Sequence, residues 1–245
     1  MNCIYGIILA GGVGNRMGAD TPKQFMQLRG KSLVAHSVEK FNSFPFFKSI
    51  VVVSHPDYIE TTEKEIGSYL REGDRIVEGG ATRHQSTLKG LSILNLDKTD
   101  TIVIHDAARP FFTIGEIFTA CKSAAKSGAS TLASSISETA VVTKSNLSVA
   151  ILDRESVFLI KTPQVLQAEY YEALLDIKFQ SKDEPTDLCS WVSFIGKKTE
   201  MVESSPFNIK ITKREDLNLA ESIYDLFSDW EKQNPFVLEN CGCCS

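Results

Sequence analysis

The chain has 245 residues, 42% hydrophobic and 23% charged, with 26 basic against 31 acidic side chains and a formal charge of -5. That length supports one large core rather than two full domains. The acidic balance argues against a nucleic-acid groove, which needs a concentrated basic face, and four His argue against a His-rich metal site.

Apolar stretches such as Ile102-Val103-Ile104 fall far short of the ~20 residues that span a bilayer, so no membrane partner is expected. Met1 to Ala10 is apolar but runs directly into Gly11-Gly12-Val13-Gly14-Asn15-Arg16 without a basic start or a cleavage site, and is read as a first strand. Further along, short β-branched runs at 49–54, 75–77, 101–105 and 130–134 alternate with amphipathic helical patterns at 33–41, 58–70, 83–94 and 114–126. This rhythm implies an α/β fold with a mostly parallel twisted sheet flanked by helices. Capping boxes are expected at Thr113 with Glu116 and at Thr212 with Glu215.

Between 135 and 160 the pattern changes to extended runs with polar turns, read as a protruding β-arm whose edges invite a partner subunit. One domain over 1–230 is expected, followed by a tail at 231–245 that holds Cys241, Cys243 and Cys244. Gly242 stands where a prenylation signal would need Cys, and the thiols lack further ligands for structural zinc. Cys3, Cys121 and Cys189 fall in core elements, and a chain of this size needs no disulfide staples, so the cytoplasm is the expected compartment.

The polar clusters fall at strand ends, where α/β sheets bind ligands. After the first strand comes Leu9-Ala10-Gly11-Gly12-Val13-Gly14-Asn15-Arg16, whose glycines let a phosphate approach the backbone amides. Its spacing is neither Gly-x-Gly-x-x-Gly nor a Walker loop. Arg16, and Lys23 in Pro22-Lys23-Gln24, add cations suited to a triphosphate. Next, Gly79-Gly80-Ala81-Thr82-Arg83-His84-Gln85-Ser86 runs into a helix whose start suits a base or ribose. In His105-Asp106-Ala107-Ala108-Arg109-Pro110 the Asp and Arg either pair with each other or hold a hydrated cation or a substrate hydroxyl. Two more clusters are Asp153-Arg154 with Lys161-Thr162-Pro163-Gln164, and Asn208-Ile209-Lys210-Ile211-Thr212, where Lys210 alternates with apolar neighbours as on a strand face.

These clusters, in this order from Ile4 to Ile223, resemble the 2-C-methyl-D-erythritol 4-phosphate cytidylyltransferases and the related D-ribitol 5-phosphate cytidylyltransferases. The resemblance implies a Rossmann-like fold of the nucleotide-diphospho-sugar transferase type, acting on CTP and a polyol phosphate in isoprenoid precursor synthesis. It places CTP over Leu9, Ala10, Gly11, Gly12 and Gly14, with Gly79, Gly80 and Ser86 near the base and ribose and Ala107 also in contact with CTP. Arg16, Lys23 and Lys210 become the catalytic cations, and Asp106, Arg109 and Thr162 meet the polyol phosphate. It also implies a homodimer in which Thr139 and Arg154 of the 135–160 arm complete the other subunit's pocket. Mg2+ enters mainly on the CTP phosphates, and no dedicated protein metal site is expected. The first loop, with Leu9-Ala10-Gly11-Gly12, leans towards the ribitol enzymes, whereas His105 to Pro110 leans towards the methylerythritol enzymes. A sugar 1-phosphate nucleotidyltransferase using another nucleotide, and a non-catalytic nucleotide-binding scaffold, stay open as rivals.

Overall fold

The structure, a computed structural model, describes residues 2–12, 22–175, 177, 179 and 183–236. The expected site residues Gly14 and Arg16, and the cysteines at 241, 243 and 244, lie outside the described residues.

Strand β1 (Ile4–Ala10) is an almost unbroken apolar run, which suits a strand covered on both faces. It is followed by the two-residue pair β2 (Gln27–Leu28) and β3 (Lys31–Ser32), then α1 (Leu33–Asn42), β4 (Phe47–Ser54), α2 (Ile59–Ile66) and β5 (Arg75–Glu78). Next come α3 (Arg83–Ser92), β6 (Thr101–Asp106), α4 (Ile114–Ser127) and β7 (Ala129–Ser135). The hairpin β8 (Val141–Lys144) and β9 (Leu147–Ile151) precedes β10 (Phe158–Gln167), α5 (Ala168–Leu175), α6 (Leu188–Ser193), β11 (Glu200–Glu203) and α7 (Arg214–Gln233).

Seven strands form one sheet in the order β11-β7-β10-β6-β1-β4-β5. Pairings of β1 with β4 and β6, of β4 with β5 and of β11 with β7 are parallel, while β10 runs antiparallel between β7 and β6. From β1 the chain winds outward to β4 and β5, then returns to place β6 on the other side of β1. That reversal opens a crevice at the carboxyl ends of β1 and β6, the place where sheets of this kind bind ligands.

One face of the sheet is covered by α1, α2 and α4, through Val34, Phe41, Ile66, Ile117 and Ala124, with Phe41 stacked on Phe47 at 4.8 Å. The opposite face is covered by α3, α5 and α6, through Leu91, Tyr171, Leu174 and Trp191. Helix α7 closes a third cluster around Phe111, Ile211 and Phe227. The hairpin forms its own two-stranded sheet, and every residue of β8 and β9 is exposed.

The capping box of Thr113 and Glu116 is present at the start of α4. At α7 the expected pair of Thr212 and Glu215 is replaced: the helix starts two residues beyond Thr212, and Asp216 accepts from Thr212 N, Thr212 Oγ1 and Lys213 N. A carboxylate one position further along reaches all three donors, so Glu215 has no capping role here. Residues 208–212 form a loop rather than a strand. Helix α7 runs three residues past the expected boundary at 230, and Phe236 packs on Phe118 at 5.0 Å, so the first part of the 231–245 segment belongs to the fold.

Candidate active site

Strand pairing brings Leu9 opposite Asp106, and Ala107 N donates to Leu9 O at 3.0 Å. Gly11 and Gly12, directly after β1, therefore lie beside the end of β6. Gly11 sits under Ser86: a Cβ built there would stand 3.6 Å from Ser86 Oγ. A Cβ on Gly12 would stand 3.6 Å from Lys23 Cε and 3.9 Å from Lys23 Nζ, which puts the Lys23 ammonium beside the turn.

The turn after β5 is folded tightly onto α3. Gly79 N donates to Ser54 O at 2.6 Å, Gly80 N donates to Ser86 Oγ at 3.1 Å, and Lys89 Nζ donates to Gly79 O at 2.9 Å. Close approach makes glycine necessary here, since a Cβ at Gly80 would lie 2.4 Å from Gln85 Cβ and one at Gly79 would lie 2.9 Å from Ser86 Oγ. Gly11, Gly12, Gly79, Gly80, Ser86 and Lys23 thus share one edge of the crevice.

Asp106 is the hub of the other edge. Its Oδ1 accepts from Arg83 Nε at 3.1 Å and its Oδ2 from Lys210 Nζ at 2.7 Å, with the carboxylate side chain 12% exposed. Burial alone would raise its pKa, but Arg83, Lys210 and Arg109 outweigh that and hold it well below the usual carboxylate range. The sequence left open a pairing of Asp106 with Arg109, and the structure answers differently. Asp106 takes Arg83 and Lys210, whereas Arg109 Nη1 donates to Asn208 O at 3.3 Å. Asn208, fully buried, donates from Nδ2 to Thr162 O at 2.9 Å and so ties the loop carrying Lys210 to β10.

Thr162 Oγ1 accepts from Asp106 N at 3.1 Å, so its own proton goes to His105 Nδ1 at 3.0 Å and His105 Nε2 donates to Arg109 O at 3.0 Å. Burial pushes His105 down to about 3, so the ring is neutral and both nitrogens are engaged in structure. Lys161 stands close by with its ammonium lowered by burial and by the charge of Arg109.

Together Arg83, Asp106, Arg109, Lys161, Thr162, Gln164, Asp187 and Lys210 line a cavity of about 120 Å³, with Ile160 and Thr186 completing the wall. Four cations face two carboxylates there, which leaves a net charge of +2. A second cavity of about 270 Å³ lies elsewhere, between the end of α3 and α5, and is lined by Leu91, Leu94 and Tyr171. It is larger, but it shares no residue with the strand ends that gather the charges.

A family model described as 2-C-methyl-D-erythritol 4-phosphate cytidylyltransferase (IspD) matches residues 4–225. The chain belongs to that family. A relative of that name from Leptospira borgpetersenii serovar Hardjo-bovis is 46% identical over 224 residues, which cover 91% of this chain and 94% of the relative. One from Thermosipho africanus is 38% identical over 221 residues, covering 88% and 96%. The solved 2-C-methyl-D-erythritol 4-phosphate cytidylyltransferase of Francisella tularensis superposes with a TM-score of 0.77 at 29% identity, covering 90% of this chain and 99% of that one.

Within this member of the family, the structure gathers Leu9, Gly11, Gly12, Lys23, Gly79, Gly80, Ser86, Asp106, Ala107, Arg109, Thr162 and Lys210 around one crevice. Ala10, the last residue of β1, is buried beneath the turn. Thr139 and Arg154 are exposed near the hairpin and lie outside the cavity lining of their own chain. The sequence placed Arg83, Lys161 and Gln164 within its polar clusters but gave none of them a role in the site. Arg83 follows directly on the Gly79 to Thr82 turn, a position that signals a cation at the crevice once that turn is taken as a ligand loop.

Proposed function

We propose that this protein transfers the cytidylyl group of CTP to 2-C-methyl-D-erythritol 4-phosphate and releases pyrophosphate, a step of isoprenoid precursor synthesis. The supporting observation is the charge of the cavity. Its surplus of +2 matches a phosphate monoester, which carries about -1.5 to -2 at neutral pH. The Gly-rich turns beside it suit the triphosphate. The family match and the relatives all name methylerythritol phosphate, so ribitol phosphate, a sugar 1-phosphate and a binding-only scaffold are not favoured.

A phosphate oxygen of the polyol substrate forms the new bond to the α-phosphorus of CTP, and the bond to the departing pyrophosphate breaks with its electron pair. The attacking oxygen is already ionised, so no side-chain base is needed, and His105 is occupied by Thr162 and Arg109. What the protein supplies is positioning and positive charge. Lys23 at the β1 turn, with Arg16, serves the triphosphate. Lys210 turns from Asp106 to the substrate phosphate, and Arg109 and Lys161 add field to the same cavity.

Among the described residues no group of three His, Cys, Asp or Glu could cage a metal, and both oxygens of Asp106 already accept from cations. Mg2+ carried in on the triphosphate would neutralise phosphate charge there, and Asp106, once Lys210 turns away, would be the carboxylate able to accept from its waters. The hairpin exposes Leu147, Val149 and Ile151, and the start of β10 exposes Phe158 and Leu159, with Ile151 75% exposed, which supports a homodimer in which Thr139 and Arg154 reach the partner's cavity. The cytoplasm is the compartment we assign to it, in keeping with the free thiols of Cys121 and Cys189. Among the described residues no helix is long and apolar enough to cross a membrane.

Phosphorus NMR of the purified protein with Mg-CTP and methylerythritol 4-phosphate tests the reading. It should show a new diphosphate diester with pyrophosphate, and replacing CTP by UTP, ATP or GTP should give little. Turnover of another nucleotide in preference to CTP would overturn it.

A further inference from the structure

Arg83 has no role in the chemistry described so far, yet its guanidinium is held at two nitrogens by two different strands. It is the first residue of α3, directly after the turn that holds Gly79 and Gly80. Its Nε donates to Asp106 Oδ1 at 3.1 Å while its Nη2 donates to Gln164 Oε1 at 3.2 Å. Gln164 is itself fixed: 1% exposed, it donates from Nε2 to Thr131 Oγ1 at 3.2 Å, and its Oε1 also accepts from Leu188 N at 3.2 Å. A planar guanidinium gripped at two of its nitrogens cannot swing.

Lys210 contrasts with it. It reaches Asp106 by one flexible ammonium contact, and its side chain is 37% exposed against 27% for Arg83. Of two cations sharing one carboxylate, only the loosely held one can turn to an arriving phosphate. Once it turns, the other must keep the buried carboxylate compensated. Helical geometry adds a second link. Ser86, three residues beyond Arg83 on the same turn of α3, accepts from Gly80 N, so one turn of helix touches both the nucleotide turn and the carboxylate.

We propose that Arg83 is a positioning residue. It holds Asp106 in place when Lys210 leaves for the substrate phosphate, and it fixes that carboxylate relative to the Gly79-Gly80 turn. The proposal rests on the reading of the cavity as the polyol phosphate site. Its chemistry is that of the reaction already described, with no new bond made or broken by Arg83.

Steady-state kinetics of the full chain test it with Arg83→Ala, Arg83→Lys and the double variant Arg83→Ala/Asp106→Asn. Arg83→Ala should lower kcat/KM for the polyol phosphate about 10- to 100-fold, the weight of one charge-assisted hydrogen bond, while KM for CTP changes less than about threefold at saturating polyol phosphate. Arg83→Lys should recover little, because an ammonium offers no fixed fork. Added guanidinium ion at low concentration should restore part of the activity of Arg83→Ala and none of that of Arg83→Lys. The double variant should be no worse than Asp106→Asn alone, since both act through one contact. Equal losses towards CTP and the polyol phosphate without rescue, or additive losses in the double variant, would overturn the proposal. A wild-type protein inactive with every polyol phosphate would instead sink the functional reading, so the two failures are distinguishable.

Discussion

Replacing Asp106 by Asn probes the centre of the cavity with a change of one atom. The carboxylate accepts from Arg83 at 3.1 Å and from Lys210 at 2.7 Å, and its side chain is 12% exposed. An amide offers one accepting oxygen, so one cation keeps a neutral acceptor and the other meets an N–H. Removing one partner of a fully buried ion pair costs about 3–5 kcal/mol. Here Arg83 and Lys210 are 27% and 37% exposed and recover hydration, which brings the cost to roughly 2 kcal/mol. At about 2–4 °C per kcal/mol for a chain of this size, Tm should fall by about 4–8 °C in scanning calorimetry. Activity separates two effects, because the substitution also raises the cavity charge from +2 to +3. If net charge governed binding, the polyol phosphate would bind more tightly. The geometry predicts weaker binding, because the carboxylate that Arg83 holds fixed is no longer there to meet the polyol once Lys210 has turned to the phosphate. An unchanged Tm together with tighter polyol phosphate binding would refute this reasoning.

Gly80→Ala places a Cβ 2.4 Å from Gln85 Cβ and 3.1 Å from the Gln85 carbonyl carbon. The start of α3 must shift at a cost of about 1–3 kcal/mol, and KM for CTP should rise more than KM for the polyol phosphate. Burial lowers His105 from 6.5 to about 3, so between those values the unfolded chain binds a proton that the native one refuses. Stability should therefore fall as pH drops through that window, by up to about 1.4 kcal/mol per pH unit. Urea midpoints against pH should show a shallower slope in His105→Asn. The depressed pKa of Asp106 acts with the same sign but only in stronger acid. Glu116 accepts from Thr113 N at 2.8 Å through one oxygen, and from Ser204 Oγ at 3.0 Å and Ser205 N at 2.7 Å through the other. Glu116→Gln turns an amide N–H towards one of these donors and should cost about 1–3 kcal/mol, read as a lower urea midpoint.

Much of the sheet was legible because its signals are local. The apolar runs of β1 and β6 are continuous because both strands are covered on two faces, and Thr113 with Glu116 announces α4 within four residues. The insertion of β10 antiparallel between β7 and β6 was not legible, since it depends on register with strands some 30 and 60 positions away. Nor was the start of α7, where Thr212 offered a plausible box and Asp216 outcompeted Glu215 by reaching three donors. At the site, Asp106 and Lys210 were found from their clusters, but their pairing was not, because residues 104 positions apart meet only in the fold. Arg83, though inside a named cluster, was given no role for the same reason: its partners Asp106 and Gln164 come from strands β6 and β10.

Pyrophosphate release from Mg-CTP, measured in parallel with methylerythritol 4-phosphate and ribitol 5-phosphate for the wild type and for Lys23→Ala, bears most directly on the central claim. The account predicts a higher kcat/KM for methylerythritol 4-phosphate and a loss of about 10²- to 10³-fold in Lys23→Ala, by analogy with removing one transition-state donor. No release with either polyol, or release that survives the loss of Lys23, would contradict it.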